Sequence, residues 1–444
     1  MKTMETKGIS FGKYNRKIPE CFLRGLTAGR SFIMNQQLRS DADQIIRKAI
    51  AAVQPDAAVQ RALKGKEFPG RVLLVAAGKA AWQMAKAASD CLGDRIENGV
   101  VVTKYDHVMG PIANFTCFEA GHPVPDENSF KGTQAALDLV ADLTEKDTVL
   151  FLLSGGGSAL FEKPLIPAAE LQDITGQLLA CGADIVEINT LRKRFSQVKG
   201  GRFAQLCWPA KVEAVILSDI LGDPLDMIAS GPACPDSTTA EDAQRIARKY
   251  DLKMSDAARN LLSVETPKAL DNVRSQINGS VRELCAAAAR TCERLGYTPI
   301  LLTDQLCCQA KEAGSFMASI LKTHENDGLS LAFIAGGETV VKLTGKGLGG
   351  RNQELALSAA SGIAGMPGAA VFSVGSDGTD GPTDAAGGYA DGETRGELLD
   401  KGVVIDDVLQ NNDAYHALQK VGGLIMTGPT GTNVNDVAVA LLRR

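Results

Sequence analysis

Five places in this chain set glycines or a charged side chain just past a short apolar stretch or a glycine-rich run. In residues 148–159 (TVLFLLSGGGSA), the unbroken apolar run 149–153 breaks into Ser154-Gly155-Gly156-Gly157-Ser158. Consecutive glycines let backbone N–H groups approach a ligand closely, and serine hydroxyls can donate. The loop therefore reads as an anion site rather than as a turn that merely needs glycine. Ala77-Gly78-Lys79 follows the apolar stretch 71–76 and precedes 80–92, a run of strong helix formers. A lysine there faces the positive end of the helix dipole, unfavourable by about 0.3–1 kcal/mol unless an anion answers it, which makes Lys79 a candidate anion-binding or catalytic cation. Residues 212–217 end in Ser218-Asp219, and a carboxylate at the carboxyl end of a strand is placed for proton transfer or metal binding. Arg351 opens a helix after the glycine-rich 345–350, a position suited to a phosphate or carboxylate. Asp377, Asp380 and Asp384 crowd the loop 375–384; their spacing is not that of a calcium loop, and Mg²⁺ binding and turn formation are both open to them.

These side chains need a frame that presents strand ends along one edge. The apolar runs 71–76, 100–103, 149–153 and 212–217 read as buried strands alternating with helical stretches, which predicts a parallel α/β sheet with its ligands at the carboxyl edge. A polar stretch, 251–279, interrupts this pattern and holds the expected domain boundary. The alternation then restarts, with strands expected at 299–303, 331–335 and 370–374 and helices at 281–295, 310–322 and 355–363. A last helix is expected over 434–442, making the loop 428–433 a further phosphate cradle. The divisions are thus a disordered extension at 1–33, a first domain at 34–270 and a second α/β domain at 271–444. The first domain is expected to open on a helix capped near Ser40-Asp41 and carrying Ile45, Ile46, Ala49, Ile50 and Val53. The basic run 189–194 reads as a solvated face.

Composition narrows the partners. A net charge of −5 leaves no basic excess for nucleic acid, and no apolar run approaches the roughly 18 residues of a membrane span. Ten cysteines without CxxC spacing fit reduced residues of a cytoplasmic protein rather than a zinc or redox motif. Gly345, Gly347 and Gly350 match G-x-G-x-x-G, but the next acidic strand end, Asp377, comes later than a ribose contact expects.

Seven motifs in order, AAGKAA (76–81), GHPVPDE (121–127), LLSGGGSAL (152–160), VKGGRFA (198–204), LSDILGDPLDMIASGP (217–232), GGETVVKLTGKGLGGRNQE (336–354) and SDGTDGPTDAAG (376–387), resemble the glycerate 2-kinase family with its carboxyl-terminal MOFRL domain. The resemblance covers nearly all of the chain from about Met34. It implies a large Rossmann-like domain and a smaller α/β domain with the active site in the cleft between them. It also implies transfer of the γ-phosphoryl of ATP to D-glycerate with Mg²⁺, in a monomer or homodimer. By motif position, Lys79, Arg351 and Asp219 correspond to the family's essential cations and carboxylate. Ser154, Gly155, Gly156, Gly157, Ser158, Lys199, Glu338 and Asn352 would bind substrate or phosphate, and Asp219, Asp377 and Asp380 the metal. Arg194 stands where the family commonly has histidine, a change expected to touch substrate contacts. The alternative is an NAD(P)H-dependent hydroxypyruvate reductase using 345–350 as its dinucleotide turn and His122 as its acid; a non-catalytic metabolite-binding module is the third reading.

Overall fold

The structure, a computed structural model, describes the backbone of residues 20–444 and the side chains from residue 35 on. The extension expected at 1–33 lies outside the residues whose side chains are described. The described backbone begins in the helix Glu20–Ala52, so Ser40 stands inside a helix rather than capping one.

Twelve strands among the described residues form two sheets. The first contains β1 Val72–Ala77, β2 Ile96–Lys104, β3 Phe115–Ala120, β4 Thr148–Leu153, β5 Lys211–Leu217 and β6 Val273–Gly279. All six are parallel in the order β3-β2-β1-β4-β5-β6, the doubly wound arrangement expected from the alternation of apolar runs and helices. β1 and β4 are buried along their whole length. Their successive side chains divide between two cores: Val72, Leu74 and Ala76 pack with the helix Ala81–Leu92, and Val75 and Phe151 pack with Phe161 and Phe203 in the opposite layer.

The second sheet contains β7 Thr298–Leu306, β8 Leu331–Gly337, β9 Ala369–Gly375, β10 Gly387–Asp391, β11 Leu424–Ile425 and β12 Asp436–Leu442, in the order β11-β10-β9-β12-β8-β7. It is mixed: β7 and β8 are parallel, and β12 runs antiparallel between β8 and β9. The final helix expected at 434–442 is therefore a central strand. Val437, Val439 and Leu441 enter one core and Ala438, Ala440 and Leu442 the other, so both faces are apolar and the period-2 signal vanishes.

The expected division at 270 also shifts. β6 belongs to the first sheet, which places the change of sheet after Gly279. Leu38, Ala42, Ile45, Ile46, Ala49 and Val53 pack with Val281, Leu284 and Phe372, so the helix expected to open the first domain covers the second sheet. Asp41 is buried there; Tyr297 Oη donates to it at 2.6 Å and Arg443 Nη1 at 2.5 Å, tying the last strand to this helix. Among the described residues no helix is long and apolar enough to cross a membrane.

Candidate active site

In a parallel sheet the strand order reverses once, and here β1 stands at that switch, with β2 on one side and β4 on the other. The register pairs Ala77 with Leu153, so the two strands end in one row and their loops meet. Lys79 N–H donates to Gly155 O at 2.9 Å, and Ala80 N–H donates to the Ser154 hydroxyl at 3.0 Å. β5 lies next to β4 and delivers Asp219 against the same loop: a Cβ built on Gly155 would stand 2.1 Å from Asp219 Oδ2. Gly156 takes φ +85°, and a Cβ there would stand 3.0 Å from the His122 imidazole and 3.1 Å from Lys79 Cγ. The glycines thus let the side chains of Lys79, His122 and Asp219 crowd one loop. The N–H groups of Gly155 and Gly156 meet no acceptor among the described residues.

A cavity of about 370 Å³ opens over this edge, lined by Lys79, Gln83, Asp106, Ser154, Gly155 and Asp219 of the first domain and by Asp377, Pro429, Gly431, Thr432 and Asn433 of the second. Burial pushes the Asp219 carboxyl up, Lys79 draws it down, and Glu338 of the second domain adds to the rise. Burial and the neighbouring Lys79 lower His122, which keeps its imidazole neutral at pH 7. The loop 428–433 reaches the site as expected, but from ahead of a strand, so no helix N-terminus stands there. Among the described residues no group of three or more His, Cys, Asp and Glu is arranged to hold a metal.

Other expected residues are committed elsewhere. Arg351 does not line the cavity; it holds Asp436 through Nε at 2.5 Å and Nη2 at 3.1 Å, and Glu338 through Nη1 at 2.9 Å. Asp380 caps the helix Arg351–Gly362, its two oxygens accepting Asn352 N–H at 3.1 Å and Gln353 N–H at 2.9 Å, and burial raises it to about 7. Asn352 is buried beside it, its amide oxygen accepting Ser373 Oγ at 2.5 Å. Lys199 is fully buried between Phe161 O at 2.8 Å and Glu162 at 3.3 Å, and burial lowers its pKa to about 8. The Ser158 hydroxyl turns inward to Ser230 at 3.1 Å. Lys193 and Arg194, expected on a solvated face, are fully buried around Asp236, and Arg194 donates to Val264 O and Thr238 O rather than to the cavity. A buried cation survives only with such partners, and these came from residues 30 to 70 positions away in sequence.

The G-x-G-x-x-G loop is spoken for. Gly345 N–H donates to Asn412 Oδ1, Lys346 N–H to Asn411 Oδ1, Gly347 N–H to Asn411 O and Leu348 N–H to Asp413 Oδ1, leaving these four unable to cradle a pyrophosphate. Sequence reasoning passed over Gln83, Asp106, His107 and Met109 of the cavity. Asp106 carried a signal, being an acidic residue just beyond the apolar run that forms β2.

A family model described as a domain of unknown function (DUF4147) matches residues 41–263, and the MOFRL family model matches residues 331–436. The D-glycerate 2-kinase of Thermotoga maritima is 52% identical over 413 residues, 92% of this chain and 99% of the relative. The crystal structure of the Thermotoga maritima glycerate kinase superposes with a TM-score of 0.88, covering 92% of this chain and all of that one. The glycerate 2-kinase of Pyrococcus horikoshii is 42% identical, over 90% of this chain and 96% of the relative. A putative hydroxypyruvate reductase of Agrobacterium vitis is 37% identical, over 90% of this chain and 94% of its own.

Proposed function

This chain belongs to the glycerate 2-kinase family, and from that membership we propose that it transfers the γ-phosphoryl group of ATP to the 2-hydroxyl of D-glycerate, giving 2-phosphoglycerate and ADP. The observation that carries the reading is the gathering of Lys79, the uncommitted N–H group of Gly155 and the Asp219 carboxylate around one interdomain cavity, with the uncommitted N–H of Gly156 next along the same loop. Phosphoryl transfer asks a protein to hold two oxygens in line and to neutralise charge spreading over the transferred group. Lys79 and the loop N–H groups face that charge. Asp219, whose carboxyl burial raises and Lys79 draws back down, accepts the proton of the attacking hydroxyl.

Mg²⁺ fits the donor set. Besides Asp106 at its β2 end, the cavity offers Asp219 from the first domain and Asp377 from the second, and such a cation takes one or two carboxylates and fills its remaining positions with phosphate and water. Asp377 would hold it, and when bound it supplies charge neutralisation at the phosphates. Arg351 has one exchangeable contact. Its Glu338 partner is half exposed, while Asp436 is buried and keeps Nε and Nη2. With closure of the second domain, Nη1 is free to exchange Glu338 for the carboxylate of the acceptor.

The test mixes the full chain with D-glycerate and MgATP under a coupled ADP readout, and separately with hydroxypyruvate and NADH or NADPH. ADP formation with a 2-phosphoglycerate signal in ³¹P NMR is expected. Nicotinamide oxidation without ADP formation would overturn the reading, and the committed N–H groups of 345–348 weigh against it.

A further inference from the structure

We propose that the β2 end of the cavity holds the ribose of the nucleotide, with the Asp106 carboxylate accepting hydrogen bonds from its 2′- and 3′-hydroxyls. The inference rests on the kinase reading above and extends it from the phosphates to the nucleoside. The sheet sets the order of groups along the cavity. Its carboxyl edge presents Asp106 after β2, Lys79 after β1, Ser154 and Gly155 after β4 and Asp219 after β5. Neighbouring strands stand about 4.8 Å apart, so three intervals separate Asp106 from Asp219 by roughly 14 Å. The cationic, N–H-bearing centre suits phosphates, and the buried carboxylate at β5 suits the acceptor hydroxyl. What remains for the rest of the nucleotide is the β2 end.

The chemistry of that end agrees. The Asp106 side chain has no hydrogen-bond or ion-pair partner among the described residues. It is held out at φ +64°, a left-handed conformation, by a loop anchored at two points. Glu119 Oε1 accepts both His107 N–H and Val108 N–H at 2.9 Å, and the Trp82 indole N–H donates to Gly110 O at 2.9 Å. A carboxylate has two acceptor oxygens for a vicinal diol, and the end of the strand next to the switch is where doubly wound folds place the acid that meets a ribose. Met109 and Pro429 of the same cavity give apolar faces and Gln83 an amide to a base.

Initial rates of the full chain with D-glycerate and MgATP, 2′-deoxyATP or 3′-deoxyATP test this. Each deoxy analogue is expected to lose about tenfold or more in kcat/KM with the wild type. Asp106→Gly, which suits the positive φ, is expected to raise KM for ATP about tenfold, to move KM for D-glycerate less than about twofold, and to erase the discrimination against 2′-deoxyATP. Asp106→Asn, which tolerates the same backbone, gives a smaller loss in the same direction. A wild type that uses the deoxy analogues as well as ATP, or a variant that raises KM for D-glycerate instead, overturns the assignment while leaving the kinase reading intact. Absence of turnover with ATP and D-glycerate overturns both.

Discussion

Gly155→Ala adds one methyl group where the structure leaves no room for it. The new Cβ would stand 2.1 Å from Asp219 Oδ2 and 2.8 Å from Asp219 Cγ, against an ordinary separation of about 3.4 Å, so the carboxylate must retreat by about 1 Å. Gly155 does not occupy the left-handed region, so alanine brings no backbone strain of its own. A misplacement of about 1 Å at a reacting group costs on the order of 10²-fold, or about 2.7 kcal/mol of transition-state stabilisation. The expected result is kcat down about 10²-fold, KM for ATP within about threefold, and a melting temperature within about 2 °C of wild type. If the loss passes through Asp219, the double variant Gly155→Ala/Asp219→Ala is no slower than Asp219→Ala alone. A Gly155→Ala enzyme retaining a third of wild-type kcat, or a double variant in which the two losses multiply, would refute the claim that this loop sets the position of the carboxylate.

Lys79→Met should lower kcat by about 10³-fold or more, the common cost of removing a cation from a phosphoryl-transfer site; retention of a tenth of the wild-type rate would remove Lys79 from the chemistry. Arg351→Ala should likewise abolish turnover, and Arg351→Lys should fail to restore it, because one ammonium cannot serve Asp436 and the exchangeable position together. Lys199→Met should behave as a stability variant, losing about 3 kcal/mol in urea unfolding because Glu162 is left buried and uncompensated, while the folded fraction keeps its kcat. For pH, Arg71 donates to both oxygens of the buried Asp147 and holds its carboxyl well below the usual range. The unfolded chain therefore takes up that proton first on acidification. The Asp147 contribution is complete above about pH 4 and shrinks as pH falls toward the folded pKa, so the difference in melting temperature between wild type and Asp147→Asn should narrow from pH 6 to pH 2.

What the sequence disclosed and what it hid follow from periodicity and distance along the chain. β1, β4, β5, β8 and β9 were legible because each is a bounded apolar run, and Lys79, Gly155 and Asp219 because they stand where such runs end. β12 was not, since a run buried on both faces looks alike as strand or helix. β10 escaped because five residues containing two glycines carry too little pattern to register. The spacing of Ile45 to Val53 announced a helix but not its partner, the second sheet 240 or more residues away. Charge was the least legible feature. Lys193, Arg194 and Lys199 look like surface residues until Asp236 and Glu162 are brought to them by the fold. Asp380 showed the converse: an apparent metal ligand whose oxygens are consumed by a helix terminus.

The strand that bisects the second sheet also follows every other strand of that sheet in the sequence. Until β12 emerges, β8 and β9 have no common neighbour, while the first sheet, complete at Gly279, is already free to close during synthesis. The helix Glu20–Ala52 is translated early yet must wait, its apolar stripe bare, for the sheet it covers. The helix and the segment around β12 then lock together, as Arg443 reaches Asp41 and Thr432 Oγ1 donates to Val53 O at 2.8 Å. A nascent chain halted before Asp436 would hold a complete first sheet beside a second sheet split down its middle.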